Sequence, residues 1–93
     1  NTTIVYNSDD DKQPAHIELG TAFISGGPDE IRQTQITFKT KFNIPPRISL
    51  CDLTSDPSRQ VSTAYPVYIT DFTIHTVRKD SEPAEVYWIA IGH

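Results

Sequence analysis

Cysteine is nearly missing from this chain. Cys51 is the sole one, so no disulfide can form within the chain and the fold must be held by burial and hydrogen bonding. Methionine is absent altogether, which leads to the expectation of a mature or excised domain. No segment approaches the ~20 apolar residues of a membrane span, and none reads as a signal peptide. Cations are scarce: eight Lys and Arg stand against twelve Asp and Glu, for a net charge of −4. No basic stripe exists to meet a phosphate backbone, which removes nucleic acid from the expected partners. Leu and Ala total only 8, while Ile, Thr and Val number 11, 11 and 5. Helices favour Ala and Leu and pleated surfaces favour β-branched side chains, so the all-α classes are excluded.

At 93 residues the chain holds one domain with a thin core, which a partner chain would help to complete. The charge is uneven. Residues 1–33 carry six acids against Lys12 and Arg32, whereas residues 34–93 carry six acids and six bases. An acidic first third keeps a chain soluble. Residues 1–15 read as a polar lead-in or neck. Within it Thr2–Tyr6 has the pattern of a short strand, and Asn7–Pro14 is polar and turn-prone.

Six strand-like stretches follow, each bounded by breakers: Ile17–Ile24, Gln33–Thr40, Arg47–Leu53, Gln60–Tyr68, Phe72–Val77 and Glu85–Ile91. Pro66 marks its stretch as an edge strand or a bulge. Spacings of 12 to 15 residues leave no room for crossover helices, so the fold class is all-β, a six-stranded antiparallel β-sandwich. The last stretch is apolar on both faces: Val86, Trp88 and Ala90 on one, Tyr87, Ile89 and Ile91 on the other. A sandwich strand normally has one wet face. The second apolar face therefore needs cover, most economically another copy of the chain, or else the folded-back lead-in.

Little here suggests catalysis. There is no Gly-rich phosphate loop, paired-His zinc motif or nucleophile elbow. His16, His75 and His93 fall in different elements, and Cys51, in the apolar run Ile48–Cys51, is expected to be buried and inert. Asn7, Asp9, Asp11, Gln13 and Glu18 match a calcium-loop register, but Lys12 stands where that loop needs glycine. No enzyme activity, catalytic residue, metal site or cofactor is assigned.

The ordered set Gln35-Ile36-Thr37-Phe38, Phe42, Ile44-Pro45-Pro46-Arg47-Ile48-Ser49-Leu50, Phe72 and Tyr87-Trp88-Ile89-Ala90-Ile91-Gly92 resembles the H-type lectin domain of snail agglutinins and discoidins. His16–Gly20 is similar to that domain's opening strand, and the resemblance spans residues 16–93 apart from the last position. It implies a parallel trimer that binds galactose- or N-acetylgalactosamine-type sugars in loops between protomers. Carried over residue by residue, the expected carbohydrate-binding set is Arg59 at the start of the fourth strand and Gly27 and Asp29 before the second. Lys79 and Asp80 stand where the family has an aromatic-His pair. A pyranose ring needs a flat apolar platform as well as polar groups, and Tyr65 or Tyr68 is the candidate to replace the missing aromatic. Arg59, Arg78 and Lys79 together also suit an acidic sugar.

The leading expectation is a non-catalytic, trimeric carbohydrate-binding module that recognises glycans by avidity at an extracellular, cell or virion surface. The alternative is a structural or adhesive trimeric tip of a viral or phage fibre, with an altered or absent sugar site. Secreted animal members of the family tend to carry disulfides, which Cys51 alone cannot form.

Overall fold

The computed structural model describes residues 6–7, 10–14, 16–56 and 58–93, with side chains from residue 16 onward. Tyr6–Asn7 (β1) and Asp10–Pro14 (β2) pair antiparallel in a sheet of their own. The stretch read as a turn-prone lead-in is thus partly a hairpin, while most of the strand expected over Thr2–Tyr6 lies outside the described residues. The remaining strands are β3 (His16–Ile24), β4 (Ile31–Thr37), β5 (Arg47–Leu53), β6 (Gln60–Val67), β7 (Asp71–Arg78) and β8 (Ala84–Gly92). They form two three-stranded sheets, in the orders β3-β8-β5 and β4-β7-β6, and every pairing is antiparallel. This is the expected six-stranded antiparallel sandwich.

Each expected stretch coincides with a strand to within three residues at either end. β4 stops at Thr37, short of Thr40, yet Phe38 still points into the core, its N–H donating to the Thr70 carbonyl at 2.9 Å. β6 lies at a sheet edge, and its register with β7 shifts between Ala64 and Val67 around the cis Tyr65-Pro66 bond. That is where a residue without an N–H is tolerated.

The space between the sheets has two characters. Toward one end it is aromatic. Phe38, Phe42, Phe72 and Trp88 are buried, with ring centroids 4.9 Å apart for Phe38–Phe42 and 5.3 Å for Phe72–Trp88. His16 stacks on Phe42 at 4.2 Å. The indole of Trp88 lies across β3 at Gly20, where a Cβ would stand 2.8 Å from Cζ2. Toward the other end the inward positions are polar: Arg32 on β4, Asp52 on β5, Gln60 and Ser62 on β6, Thr76 and Arg78 on β7. A buried polar group must find partners, and all of these but Arg32 find one another. Gln60 Nε2 donates to Asp52 Oδ1 at 2.8 Å and to the Glu85 carbonyl at 3.0 Å, while Arg78 Nη1 donates to Gln60 Oε1 at 2.9 Å. The hydroxyl of Ser62 bridges Asp52 and Thr76.

On the outer face of the β3-β8-β5 sheet the register brings apolar side chains into one field. Ile17 faces Ile91, Leu19 faces Ile89 and Thr21 faces Tyr87, with Phe23 beyond. All five large apolar side chains of these pairs, and Phe23, are exposed, from 40% for Ile89 to 69% for Leu19. Cys51 shares this face, opposite Tyr87, and is exposed. The expectation of a buried thiol fails because β5 alternates: Ile48 and Leu50 turn inward, Ser49 and Cys51 outward.

Candidate functional site

Five of the six residues expected to bind a sugar share one end of the sandwich. There the β3–β4, β5–β6 and β7–β8 connections meet. Asp29, whose φ of 59° places it in the left-handed region, donates its N–H to the Arg78 carbonyl at 2.8 Å. The Arg59 N–H reaches the Asp56 carbonyl at 2.9 Å, and the Arg59 carbonyl accepts from the Lys79 N–H at 3.0 Å. Gly27 and Asp80 are joined by Arg32, whose Nη2 donates to the carbonyls of Gly27 at 3.3 Å and Asp80 at 2.6 Å. Tyr65 is elsewhere. It lies six positions along β6 from Arg59, roughly 20 Å at ~3.3 Å per residue, on the outer face of its sheet.

Two buried arginines organise this end, and only one of them, Arg78, was a candidate for the site from sequence. Arg32 is 4% exposed and also donates from Nη1 to the carbonyls of Ile24 at 3.0 Å and Glu82 at 2.7 Å. Four carbonyls, those of Ile24 at the end of β3, Gly27 in the β3–β4 loop, and Asp80 and Glu82 in the β7–β8 loop, thus surround one guanidinium. Among the described residues its Nε has no hydrogen-bond partner, and it lies under Gly26, where a Cβ would come within 2.5 Å of Arg32 Cγ. Only a glycine lets the backbone pass that close. Arg78 Nε donates to Asp80 Oδ1 at 2.5 Å, and that oxygen also accepts the Glu82 N–H at 3.1 Å. Period-two alternation would have identified both arginines: Arg32 is in step with Thr34 and Ile36, and Arg78 with Phe72, Ile74 and Thr76.

The Arg78 guanidinium holds the Asp80 carboxyl below its ordinary value of 3.8, helped by the Glu82 N–H and the charges of Arg78 and Arg59. The backbone N–H and hydroxyl of Ser58 do the same for Asp56, with smaller contributions from Arg59 and Lys79. Arg78, expected to help with an acidic sugar, spends its donors on Asp80 and Gln60. Among the described residues no group of three or more His, Cys, Asp or Glu side chains could hold a metal ion. Glu18 of the calcium-loop register instead accepts the Lys39 N–H at 2.9 Å, and Asp9 of that register lies outside the described residues.

No family model and no curated protein matches this sequence. Among solved structures the chain is similar to the P. aeruginosa R1 pyocin fibre, in a structure comprising C-terminal residues 323–701. The TM-score is 0.70 at 15% identity, over 89% of this chain. The likeness establishes a shared fold. The chain spans 24% of the length of that fibre chain.

Proposed function

We propose that the chain is a non-catalytic domain of a trimeric fibre of the phage-tail type, displayed at the particle surface and working in adhesion or receptor recognition. The carrying observation is the uncovered face of the β3-β8-β5 sheet. Its six large apolar side chains expose roughly 600 Å² between them, comparable with the ~800 Å² per partner of a standard protein interface. Soluble monomers seldom present so continuous an apolar field. Copies of the same chain turned inward around a common axis cover it without a second gene product. The sandwich shared with a pyocin fibre supports the fibre setting. The resemblance to H-type lectin domains adds glycans as the class of surface ligand, and three modest sites on one rigid trimer would gain by avidity.

The test is the mass of the purified domain in solution, by light scattering over a range of concentrations. A species of three times the 10.5 kDa chain mass is expected. A monomer at all concentrations overturns the reading.

A further inference from the structure

At the loop end that the lectin resemblance singles out, backbone groups of Gly27, Asp29 and Asp80 and the Asp80 carboxylate are already committed to the fold. The carbonyls of Gly27 and Asp80 serve Arg32, the Asp80 carboxylate serves Arg78 and the Glu82 N–H, and the Asp29 N–H serves the Arg78 carbonyl. A different surface is uncommitted. If the β3-β8-β5 face turns toward the trimer axis, the β4-β7-β6 sheet, packed about 10 Å behind it, forms the outer wall. On that wall the register sets Ile31 beside Val77 and Val61 in one row, and Gln33 beside His75 and Thr63 in the next. Tyr65 follows on β6 and is 74% exposed. His75 Nε2 is hydrogen-bonded to the Tyr65 carbonyl at 2.9 Å, which ties the centre of the wall to the strand that carries the ring. A shallow depression of about 200 Å³, bordered by Ile31, Val61, Val77, Thr63 and His75, lies on these two rows.

We infer that this wall is the ligand surface and that its ligand is a neutral, hydroxyl-rich chain, an uncharged glycan. The inference rests on the surface-recognition reading above and deepens it by placing and typing the ligand. No Lys, Arg, Asp or Glu stands in either row, so the surface has nothing to neutralise an acidic or basic partner and would force any charge to lose water unpaired. What it offers instead are amide and hydroxyl groups that both donate and accept, which is the chemistry of sugar hydroxyls. It also offers an exposed aromatic ring for a pyranose C–H face. The depression is smaller than the ~300–1,000 Å³ of drug-sized sites, and so suits one ring of a chain rather than a compact organic ligand.

The experiment is an array of immobilised neutral and sialylated oligosaccharides, probed with the whole chain and with Tyr65→Ala, Gln33→Ala and Arg59→Ala, each checked for mass in solution. The parent is expected to retain neutral glycans. Tyr65→Ala and Gln33→Ala should each weaken that binding roughly tenfold at unchanged mass, and Arg59→Ala should leave it within about twofold. Loss in Arg59→Ala with Tyr65→Ala unaffected would move the site to the loop end and overturn the inference. Retention of sialylated glycans alone, or of none, would overturn it too. The mass then decides the fibre reading separately, since a trimer without glycan binding leaves assembly standing.

Discussion

Arg32 shows how a single residue can shape a whole end of the molecule. Its charge is surrounded by carbonyl dipoles from the end of β3 and two loops, and among the described residues no carboxylate hydrogen-bonds to it. Replacing it by methionine keeps the aliphatic stem and removes the donors, leaving four carbonyls to find water or go unpaired. Arg32→Met is expected to cost on the order of 3 kcal/mol. A urea midpoint lowered at unchanged slope, read at fixed protein concentration, would show it. An unchanged midpoint would mean that the loops hold themselves. Asp56 and Asp80 contribute to the acid response. Both carboxyls sit below 3.8 when folded, so the stability they contribute is complete above about pH 5 and disappears as pH falls through their lowered values. A melting temperature flat between about pH 5 and 7 and dropping below about pH 4 is expected from this pair. A decline beginning near neutrality would point to another group.

At the scale of elements, β8 is the strand on which the fold depends. It is the central strand of its sheet, pairing with β3 along nine residues and with β5 along seven. It also carries Trp88, which contacts the aromatic cluster on one side and needs Gly20 on the other. Gly20→Ala places a Cβ 2.8 Å from the indole, which is pinned by Phe72 and cannot swing away cheaply. A loss of about 1–3 kcal/mol is expected from this overpacking, with near-ultraviolet circular dichroism of the tryptophan altered as well. No change in either would show that the ring has room to move. Alternation made β8 easy to find, and Pro66 marked β6 as an edge strand or a bulge. The same alternation, applied only to apolar residues, overlooked the inward polar set of Arg32, Asp52, Gln60, Ser62 and Thr76. Asp52, Gln60, Ser62 and Thr76 turn inward because they satisfy one another, and Arg32 because backbone carbonyls surround it, which strand phase alone does not reveal. Cys51 was misplaced for a related reason. Its apolar neighbours suggested burial, but strand phase decides which face a side chain occupies.

For the whole molecule the issue is what covers the β3-β8-β5 face. Ile89 stands at its middle strand, between Leu19 and Ser49 in the register. Ile89→Asp would set a charge inside the proposed assembly, where desolvation without a partner is costly. The mass is expected to fall to that of one chain, while far-ultraviolet circular dichroism stays that of a β-protein. Cys51 provides an independent readout from the same face. Its thiol should react slowly with a bulky alkylating reagent in the parent and at the rate of an open thiol in Ile89→Asp. A fully trimeric Ile89→Asp, or equal thiol rates, would remove this face from the interface.

The sequence alone determined the class of fold, the six sandwich strands to within three residues and the second apolar face of the last strand. All of these are period-two properties, written locally in β-branched residues, breakers and alternation. The grouping of Arg59, Gly27, Asp29, Lys79 and Asp80 at one end was also foreshadowed, because connections at the same end of an antiparallel sandwich recur at every second turn. Only the tertiary structure decided that Tyr65 stands apart from that group and that two arginines hold the loops from inside. It also decided that Cys51 faces outward, level with Tyr87. These are matters of register and of contact between sheets, and they come from pairing energies summed over residues far apart in the chain.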